Sequence, residues 1–516
     1  MGLAEMRNAV IKRVEAERQQ YAPEPETDNE ANSQFTSEEI IEQLNRNADG
    51  DAFLYIELNR NRLVYDCAAG RWFKWGGSFW IEDLTGEALQ AVNDVVDVYT
   101  GETKRQAWLR TKAAKELNHE AEKIHGENEK ELIKRIKLLQ SLQRKQEVVF
   151  LSRSGAGTLA ITGEEWDKQP WLFAAANVII DLKTGNSRPG APDDYIKTAS
   201  PTEWKSINEP CPTWENFISE IFGNDVLLVE FVQRLLGYGI TGLSVLHLFI
   251  ILFGAGRNGK GTLLETLRAV LGEYAYKTES ELLLEQKSAR MAGSPNSGIL
   301  SLRGRRIVWA SETSDGRRLN AGRLKELVGG DTLNARPIFG KHHVQFEPSH
   351  LLLLLTNNKP SAPASDYALW QRVHLIPFER AFVAEPKEPN ESLADPYLSE
   401  KLRAEASGIL AWLVKGCLAW QKDELNAPDI VKAATNEYRS DEDTIGHFIE
   451  EQCVLNATYQ IRGGELYAAW KSWAESSGVT YISGKKFGIE IKKRGFDSYK
   501  DKKGIYYRGI DLNGDG

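Results

Sequence analysis

The chain is short of the residues that build disulfide or metal scaffolds. Cysteine occurs four times in 516 residues, at positions 67, 211, 417 and 453, never as a C-x-x-C pair. That spacing excludes a disulfide framework and a cysteine zinc site. His342 and His343 are adjacent but have no nearby cysteine to complete a metal set. Long apolar runs are missing as well, and none approaches the roughly 20 residues that span a bilayer. Met1 to Gln20 is highly charged and lacks the apolar core of a secretory signal. These absences predict a cytoplasmic protein with no membrane partner. Basic residues do not dominate either. The formal net charge is −9, which over the whole chain argues mildly against nucleic-acid binding. The electrostatic footprint of such binding is local, however, and has to be sought segment by segment.

What is present is an ordinary globular mix, 41% hydrophobic and 27% charged, long enough for two to four domains. Residues 1–34 are charged, Pro/Glu-rich and poor in apolar periodicity, which predicts a flexible arm. Residues 35–213 predict an α+β domain. Its strand-like stretches are Phe53-Leu-Tyr-Ile56, Leu63-Val-Tyr65, Trp72-Phe-Lys-Trp75, Phe79-Trp-Ile81 and Val178-Ile-Ile-Asp181. Asp49-Gly50-Asp51 predicts a polar turn before the first of them. A long helical insertion of one or two exposed helices is expected over 102–147, which is Lys/Glu/Gln/Leu-rich and free of proline. On it, Lys134-Arg135-Ile136-Lys137 is either a solvated face or a DNA contact. Between 214 and 385, apolar strands at 245–253, 306–310 and 350–355 alternate with helical segments, the pattern of an α/β nucleotide-binding core. Residues 386–444 predict a helical segment, and 445–516 a smaller basic module.

The most informative stretch is Gly254-Ala-Gly-Arg-Asn-Gly-Lys-Gly-Thr262. It follows the apolar run Val245-Leu-His-Leu-Phe-Ile-Ile-Leu-Phe253 and precedes an apolar helical pattern that stops at Gly272. Strand, glycine-rich loop, lysine and helix are the context a phosphate-binding loop requires. Gly254, Gly256, Gly259 and Gly261 let backbone N–H groups approach phosphate oxygens, Asn258 lies within the loop, and Lys260 reaches the β- and γ-phosphates. One departure from G-x-x-x-x-G-K-[S/T] stands out: position 261 is glycine and the hydroxyl comes one place later. Thr262 is therefore the candidate Mg²⁺ contact.

The rest of 250–380 adds chemistry. Arg306-Ile-Val-Trp-Ala-Ser-Glu312 is an apolar strand ending in a carboxylate, placed to activate water and help order a metal, so Glu312 is the candidate general base. Ser311 stands where an aspartate usually precedes that glutamate. Ser349-His-Leu-Leu-Leu-Leu-Leu-Thr-Asn357-Asn358 ends a third strand in an amide able to bond both attacking water and γ-phosphate, though Asn-Asn is also a turn signal. Arg372, before the strand Val373–Phe378, is either an arginine finger toward a neighbouring subunit or an internal ion-pair partner. Between these strands, Leu324–Asp331 predicts a helix with a glycine stop. Leu333–Phe346 predicts two strands with a turn at Gly340-Lys341-His342, either a grip on a phosphate backbone or an exposed basic turn.

In the C-terminal module, Glu465–Trp473 and Ser483–Arg494 predict helices, and Tyr499–Arg508 a hairpin with a basic turn. From 483 to 508 there are nine Lys/Arg against three Asp/Glu, a local net of +6. Helix, helix and hairpin in this order are what a winged helix needs, with Lys485, Lys486, Lys492, Lys493 and Arg494 as candidate DNA contacts.

The set GAGRNGKGT, VWASET, LKELVGGDTLNARPIFGKHHVQFEPSHLLLLLTNN and WQRVHLIPF resembles the superfamily 3 helicase core of phage, plasmid and poxvirus primase-helicases. The aromatic-rich stretch at about 50–205 is similar to the domain that precedes the helicase there, and 445–516 to its C-terminal winged-helix end. The resemblance implies an α/β fold with an AAA+-type phosphate-loop core. It implies an ATP- and Mg²⁺-dependent homo-hexameric or similar ring that moves 3′→5′ on single-stranded and forked DNA. The host would be a bacterial cell and the gene would belong to a phage or mobile element. On this pattern Lys260 and Thr262 handle phosphates and Mg²⁺, Glu312 activates water, Asn357 senses the γ-phosphate, Arg372 acts in trans, and Lys341 and His342 touch DNA. No polymerising primase domain is recognised, so a separate primase is an expected partner. Two other classes stay open: an ATP-regulated DNA-binding or origin-recognition switch that does not unwind, and a nucleotide kinase.

Overall fold

The computed structural model describes residues 34–285, 297–312, 316–336, 344–479 and 481–513. These fall into two compact units, one reaching residue 168 and including 189–197, the other formed by 169–188 and the chain from 198 onward. Among the described residues no helix is long and apolar enough to cross a membrane.

The first unit runs α1 (Ser37–Asn45), α2 (Ala48–Asn59), β1 (Leu63–Asp66), β2 (Arg71–Trp75), β3 (Trp80–Glu82), α3 (Val92–Lys115), α4 (His119–Leu139), α5 (Leu142–Leu151) and β4 (Ala160–Ile161). Its sheet has the order β3-β2-β1-β4, with only the β1–β4 pair parallel. Two expectations are corrected here. Phe53–Ile56 is the middle of helix α2, not a strand. The neighbours Leu54 and Tyr55 are both buried, which a half-exposed strand cannot do but a helix wedged between others can. Asp49-Gly50-Asp51 is accordingly the first turn of that helix, where carboxylates suit the helix dipole. Gly50 is needed for close approach, since a Cβ there would lie 1.8 Å from the Gln43 carbonyl oxygen of α1.

Arg135 is the second correction, because it belongs to no solvated face. Fully buried Asp51 accepts from Arg135 Nη1 at 2.8 Å, Arg144 Nη2 at 2.7 Å and the Tyr99 hydroxyl at 2.9 Å. Two guanidiniums offset the cost of burying that carboxylate and tie α2 to α4 and α5. The helical stretch is also longer than expected: three helices from 92 to 151, with Leu132, Leu139 and Val148 fully buried in the unit's core.

The second unit opens with a small antiparallel sheet, β5 (Leu172–Ala174), β6 (Ile179–Asp181) and β7 (Asn186–Arg188), followed by α6 (Pro212–Ile221) and α7 (Val226–Gly239). Phe173, Ile180 and Leu182 share one core with Trp214 and Phe217 of α6. The compact units therefore part near 168 and 198 rather than at 213. Its centre is built from β8 (Phe249–Phe253), α8 (Lys260–Leu271), β9 (Ala275–Lys277), β10 (Ile307–Glu312), α9 (Ala321–Val328), the antiparallel pair β11 (Leu333–Ala335) and β12 (Val344–Phe346), β13 (Leu351–Thr356) and β14 (Val373–Pro377). Strands β14-β8-β13-β10-β9 form, in that order, an all-parallel sheet. Ile250, Leu252, Trp309 and Leu353 face one core, Ile251, Val308, Leu352 and Leu354 the other. Burial on both faces is why these strands are apolar at nearly every position. Each fully buried aliphatic side chain contributes about 1.5–3 kcal/mol.

After β15 (Ala381–Val383) and β16 (Glu391–Leu393) come α10 (Leu398–Ala404), α11 (Ala406–Asp423) and α12 (Asp429–Asp441). The C-terminal part consists of α13 (Thr444–Gln452), β17 (Cys453–Arg462), α14 (Gly463–Ser476), α15 (Gly484–Lys493), β18 (Ser498–Asp501) and β19 (Gly504–Leu512). Its strands have the order β17-β19-β18 and pack Ile461 and Tyr507 against Trp470 of α14 and Phe487 of α15. The long strand β17 was not visible in the sequence, because eight of its ten residues are exposed and carry no apolar alternation.

Candidate functional site

In the parallel sheet, Phe253 pairs with Thr356 on one side and Pro377 on the other, and Thr356 pairs with Glu312. Four strands thus end level at one edge, where parallel sheets gather ligands. The loop 254–259 leaves β8 at this edge and turns into α8.

Two of its glycines are demanded by geometry. Gly254 has φ +157°, and a Cβ would lie 2.3 Å from the Phe378 carbonyl oxygen; at Gly259, φ +85°, it would lie 2.5 Å from Ile221 Cγ2. Gly256 and Gly261 instead face open space. Outside contacts pin the loop. Buried Asn258 donates from Nδ2 to the Phe378 carbonyl at 3.3 Å, and the Arg257 carbonyl accepts from the Phe382 N–H at 2.7 Å. Inside, the backbone N–H groups of residues 255–262 find no acceptor among the described residues. Eight consecutive donors without a protein acceptor around a helix N-terminus are the kind of group an anion can satisfy.

Lys260 sits in the middle of this run, only 6% exposed. Its Nζ donates to the carbonyl oxygens of Gly254 at 2.6 Å and Ala255 at 3.2 Å, and to Asn357 Oδ1 at 3.2 Å. No carboxylate pairs with it among the described residues, and burial pushes its pKa down to about 8. A buried cation held only by neutral dipoles is an incomplete electrostatic arrangement that an anion would complete. Thr262 lies half-exposed in the first turn of α8. The backbone of Glu312 ends β10 two strand spacings from Phe253, roughly 10 Å across the sheet.

Lys260, Asn357 and the loop glycines are therefore brought together, with Thr262 and the end of β10 beside them. Arg372 is not. It precedes β14 at the opposite, amino edge of the sheet, where its carbonyl accepts from the Phe249 N–H at 2.7 Å and its Nη1 donates to the Ala368 carbonyl at 2.7 Å. Arg372 cannot reach Lys260 within this chain. Lys341 and His342 lie outside the described residues, between strands β11 and β12.

Sequence reasoning missed a set of groups behind Asn357. Lys359 Nζ binds Asp441 at 2.8 Å, and Glu442 Oε2 accepts from Ser361 Oγ at 3.0 Å and the Ala362 N–H at 2.7 Å. Asp443 caps α13 through the Gly446 N–H and pairs with Arg494 at the end of α15. The available signal was Asp441-Glu442-Asp443 itself: carboxylates at a helix C-terminus oppose the dipole and call for partners. Arg494 is thereby corrected from a candidate DNA contact to an internal ion-pair partner. Lys485, Lys486, Lys492 and Lys493 are all exposed, and of these Lys493 pairs with Glu490 at 2.9 Å.

Comparison with known proteins gives partial matches. A family profile described as D5 N-terminal-like matches residues 52–223, and one for a family of unknown function matches 252–372. A relative from Acanthamoeba polyphaga mimivirus, named "Putative helicase L207/L206", is 28% identical over 445 residues, 81% of this chain. A second relative, "Putative primase C962R" of African swine fever virus (strain Badajoz 1971 Vero-adapted), is 25% identical over 44% of the chain. Residues 52–223 thus form a D5 N-terminal-like region, in a chain similar to viral proteins named as helicases and primases. The chain spans less than half the length of these relatives, 45% and 24% respectively. A solved structure, the apo NrS-1 C-terminal region (305-718), aligns over 89% of this chain and 99% of its own, at 12% identity and a TM-score of 0.45.

Proposed function

We propose that this chain is an ATP-driven DNA helicase of viral-type or mobile-element replication, with an AAA+-type core that works as a ring on single-stranded and forked DNA. The observation that carries the reading is the Lys260 ammonium bridging the phosphate-type loop and Asn357, inside a run of acceptor-free backbone N–H groups. These residues fit ATP. The N–H groups would take phosphate oxygens, and Lys260 would exchange its carbonyl partners for them. Mg²⁺ keeps most of its shell from phosphates and water and asks one or two oxygens of the protein, which Thr262 and Glu312 would provide. When bound, ATP supplies the γ-phosphoryl group whose hydrolysis drives the cycle.

The protein's part is positional and electrostatic. Glu312, whose backbone ends β10, would orient water toward the last phosphate of bound ATP. Asn357 answers to what Lys260 holds, because both share one hydrogen bond. The segment after Asn357 is fastened to Asp441 and Glu442, and the next residue, Asp443, holds Arg494 of the basic module. Nucleotide state would thus be reported to the DNA-facing end through three successive carboxylates. Arg372 completes the site of a neighbouring subunit, since its own site is out of reach. Lys341 and His342 grip the strand in the pore, exposed Lys485, Lys486 and Lys492 meet duplex at the fork, and a separate primase supplies primers.

Strand displacement on forked DNA, with ATP and Mg²⁺ and only a 3′ or only a 5′ tail, tests the reading. Displacement with the 3′ tail is the expected result. ATP hydrolysis without displacement on either substrate would favour the DNA-bound switch, and phosphate transfer to a nucleoside monophosphate would favour a kinase.

A further inference from the structure

The C-terminal sheet has an outward face that the exposed lysines of α15 do not use. Register places Tyr506 between Tyr499 of β18 and Arg462 of β17, and Arg508 opposite Gln460. These five side chains share one face, because the intervening Ile461 and Tyr507 are buried against the helices. On that face the Tyr499 and Tyr506 rings are stacked, centroids 5.4 Å apart and planes 14° from parallel. The Arg508 guanidinium lies 4.9 Å from the Tyr499 ring centre, and the Tyr499 hydroxyl donates to Gln460 Oε1 at 2.9 Å. Arg462 and Arg508 are exposed, and neither has a carboxylate partner among the described residues. The turn that closes the hairpin adds exposed Lys502 and Lys503, while Asp501 is occupied by the Lys503 and Gly504 N–H groups.

A cross-strand tyrosine pair alone would be ordinary hairpin stabilisation. Here the pair is held flat by the Gln460 bond and an arginine stack, stays partly open, and is flanked by unspent cations with no acid among the five. Flat π-faces beside positive charge fit unpaired bases, whose phosphates take the arginines and whose rings stack on tyrosine. A duplex hides its base faces and would gain only the charge. We infer that the outward face of β17, β18 and β19 binds single-stranded nucleic acid through Tyr499, Tyr506, Arg462 and Arg508. The inference rests on the proposal that this module meets DNA, and adds a second site with a different ligand geometry from the exposed lysines of α15. It would hold the strand just separated at the fork.

The test uses the full chain without nucleotide, binding a labelled 20-mer of thymidylate and a blunt hairpin duplex. Tyr499→Ala/Tyr506→Ala should weaken binding of the oligothymidylate about tenfold or more, because base stacking is removed, and leave duplex binding within about twofold. Tyr499→Phe/Tyr506→Phe, which keeps both π-faces, should retain binding. Photocrosslinking with iododeoxyuridine in the 20-mer should label residue 499 or 506. Lys485→Ala/Lys486→Ala/Lys492→Ala should show the opposite preference and weaken duplex binding. Unchanged oligothymidylate binding by the alanine pair, or equal weakening on both ligands, overturns the inference while an effect of the lysine set leaves the module's DNA role standing. No effect of either set overturns both.

Discussion

The carboxyl edge of the parallel sheet and the C-terminal module both suit phosphate-bearing ligands, yet they are built from opposite materials. At the edge, charge is scarce: one buried lysine stands among eight backbone donors, and recognition comes from how the chain is bent. In the module, charge is plentiful, with nine cations between 483 and 508, but part of it is already spent. Lys493 and Arg494 hold Glu490 and Asp443. A phosphate loop therefore has a readable motif, because backbone geometry fixes which residues fit where. A cationic surface has only a count, and the count overstates what is free.

The sharpest break in this comparison is Lys260→Ala. It removes the one cation buried within the loop, so ATP hydrolysis should fall by about 100-fold or more. The fold should survive, because the native ammonium is buried without a carboxylate and its removal relieves a desolvation cost. Turnover and a thermal melt on the same preparation check both statements. Abolished hydrolysis with a collapsed melting transition would make Lys260 structural instead.

The loop glycines come next. Gly254→Ala should cost at least about 2 kcal/mol, since its Cβ meets a carbonyl oxygen and its φ is strained for any side chain. Gly261→Ser should do the reverse. Open space surrounds that position in the first turn of α8, and replacing glycine in a helix gains about 0.5 kcal/mol. It also puts a hydroxyl directly after the lysine. Denaturant melts read the stability difference, and Mg²⁺ titration of ATPase activity reads the hydroxyl. Lower activity in Gly261→Ser would show that Thr262 needs its neighbour to be small.

Glu312 and Asn357 were legible because a parallel sheet buried on both faces leaves long apolar runs, and each lies at the second polar residue after its run, behind Ser311 and Thr356 respectively. The glycine-rich loop was legible because its geometry demands glycine at 254 and 259. The first unit was less so. Phe53–Ile56 has the composition of a strand, and only the buried ion cluster around Asp51 shows why it is a helix. Arg135 and Arg494 looked like surface charge because their partners lie 84 and 51 residues away, and pairing at that range has no local pattern. The strand β17 was hidden by its exposure.

A smaller effect separates the two regions by pH. Burial lowers the Lys260 pKa to about 8, so the free site loses its charge as pH rises through 8, while a bound anion pulls the proton back. Nucleotide affinity should be flat below pH 7 and fall about fivefold between pH 8 and pH 9, with proton uptake on binding. Titration calorimetry in buffers of different ionisation enthalpy measures that uptake. Lys260→Arg, charged throughout the range, should bind with no such slope. The C-terminal module, whose described lysines are not buried, is the comparison across the same interval.

The finest distinction lies inside the module itself. Arg494 and the pair Lys485/Lys486 contribute to the same cationic count, but only the pair is unspent. Arg494→Ala removes a partly exposed ion pair worth at most about 1 kcal/mol and leaves Asp443 to cap α13 alone. Amide exchange in α13 should quicken while duplex affinity changes less than about twofold. Lys485→Ala/Lys486→Ala should do the opposite: exchange in α13 stays as it was, duplex affinity falls, and the slope of log affinity against log salt shrinks by about 2, close to 0.9 for each phosphate no longer neutralised. If Arg494→Ala instead reduced the salt slope, the guanidinium would be leaving Asp443 for DNA, and the three successive carboxylates would then form a junction that DNA itself opens.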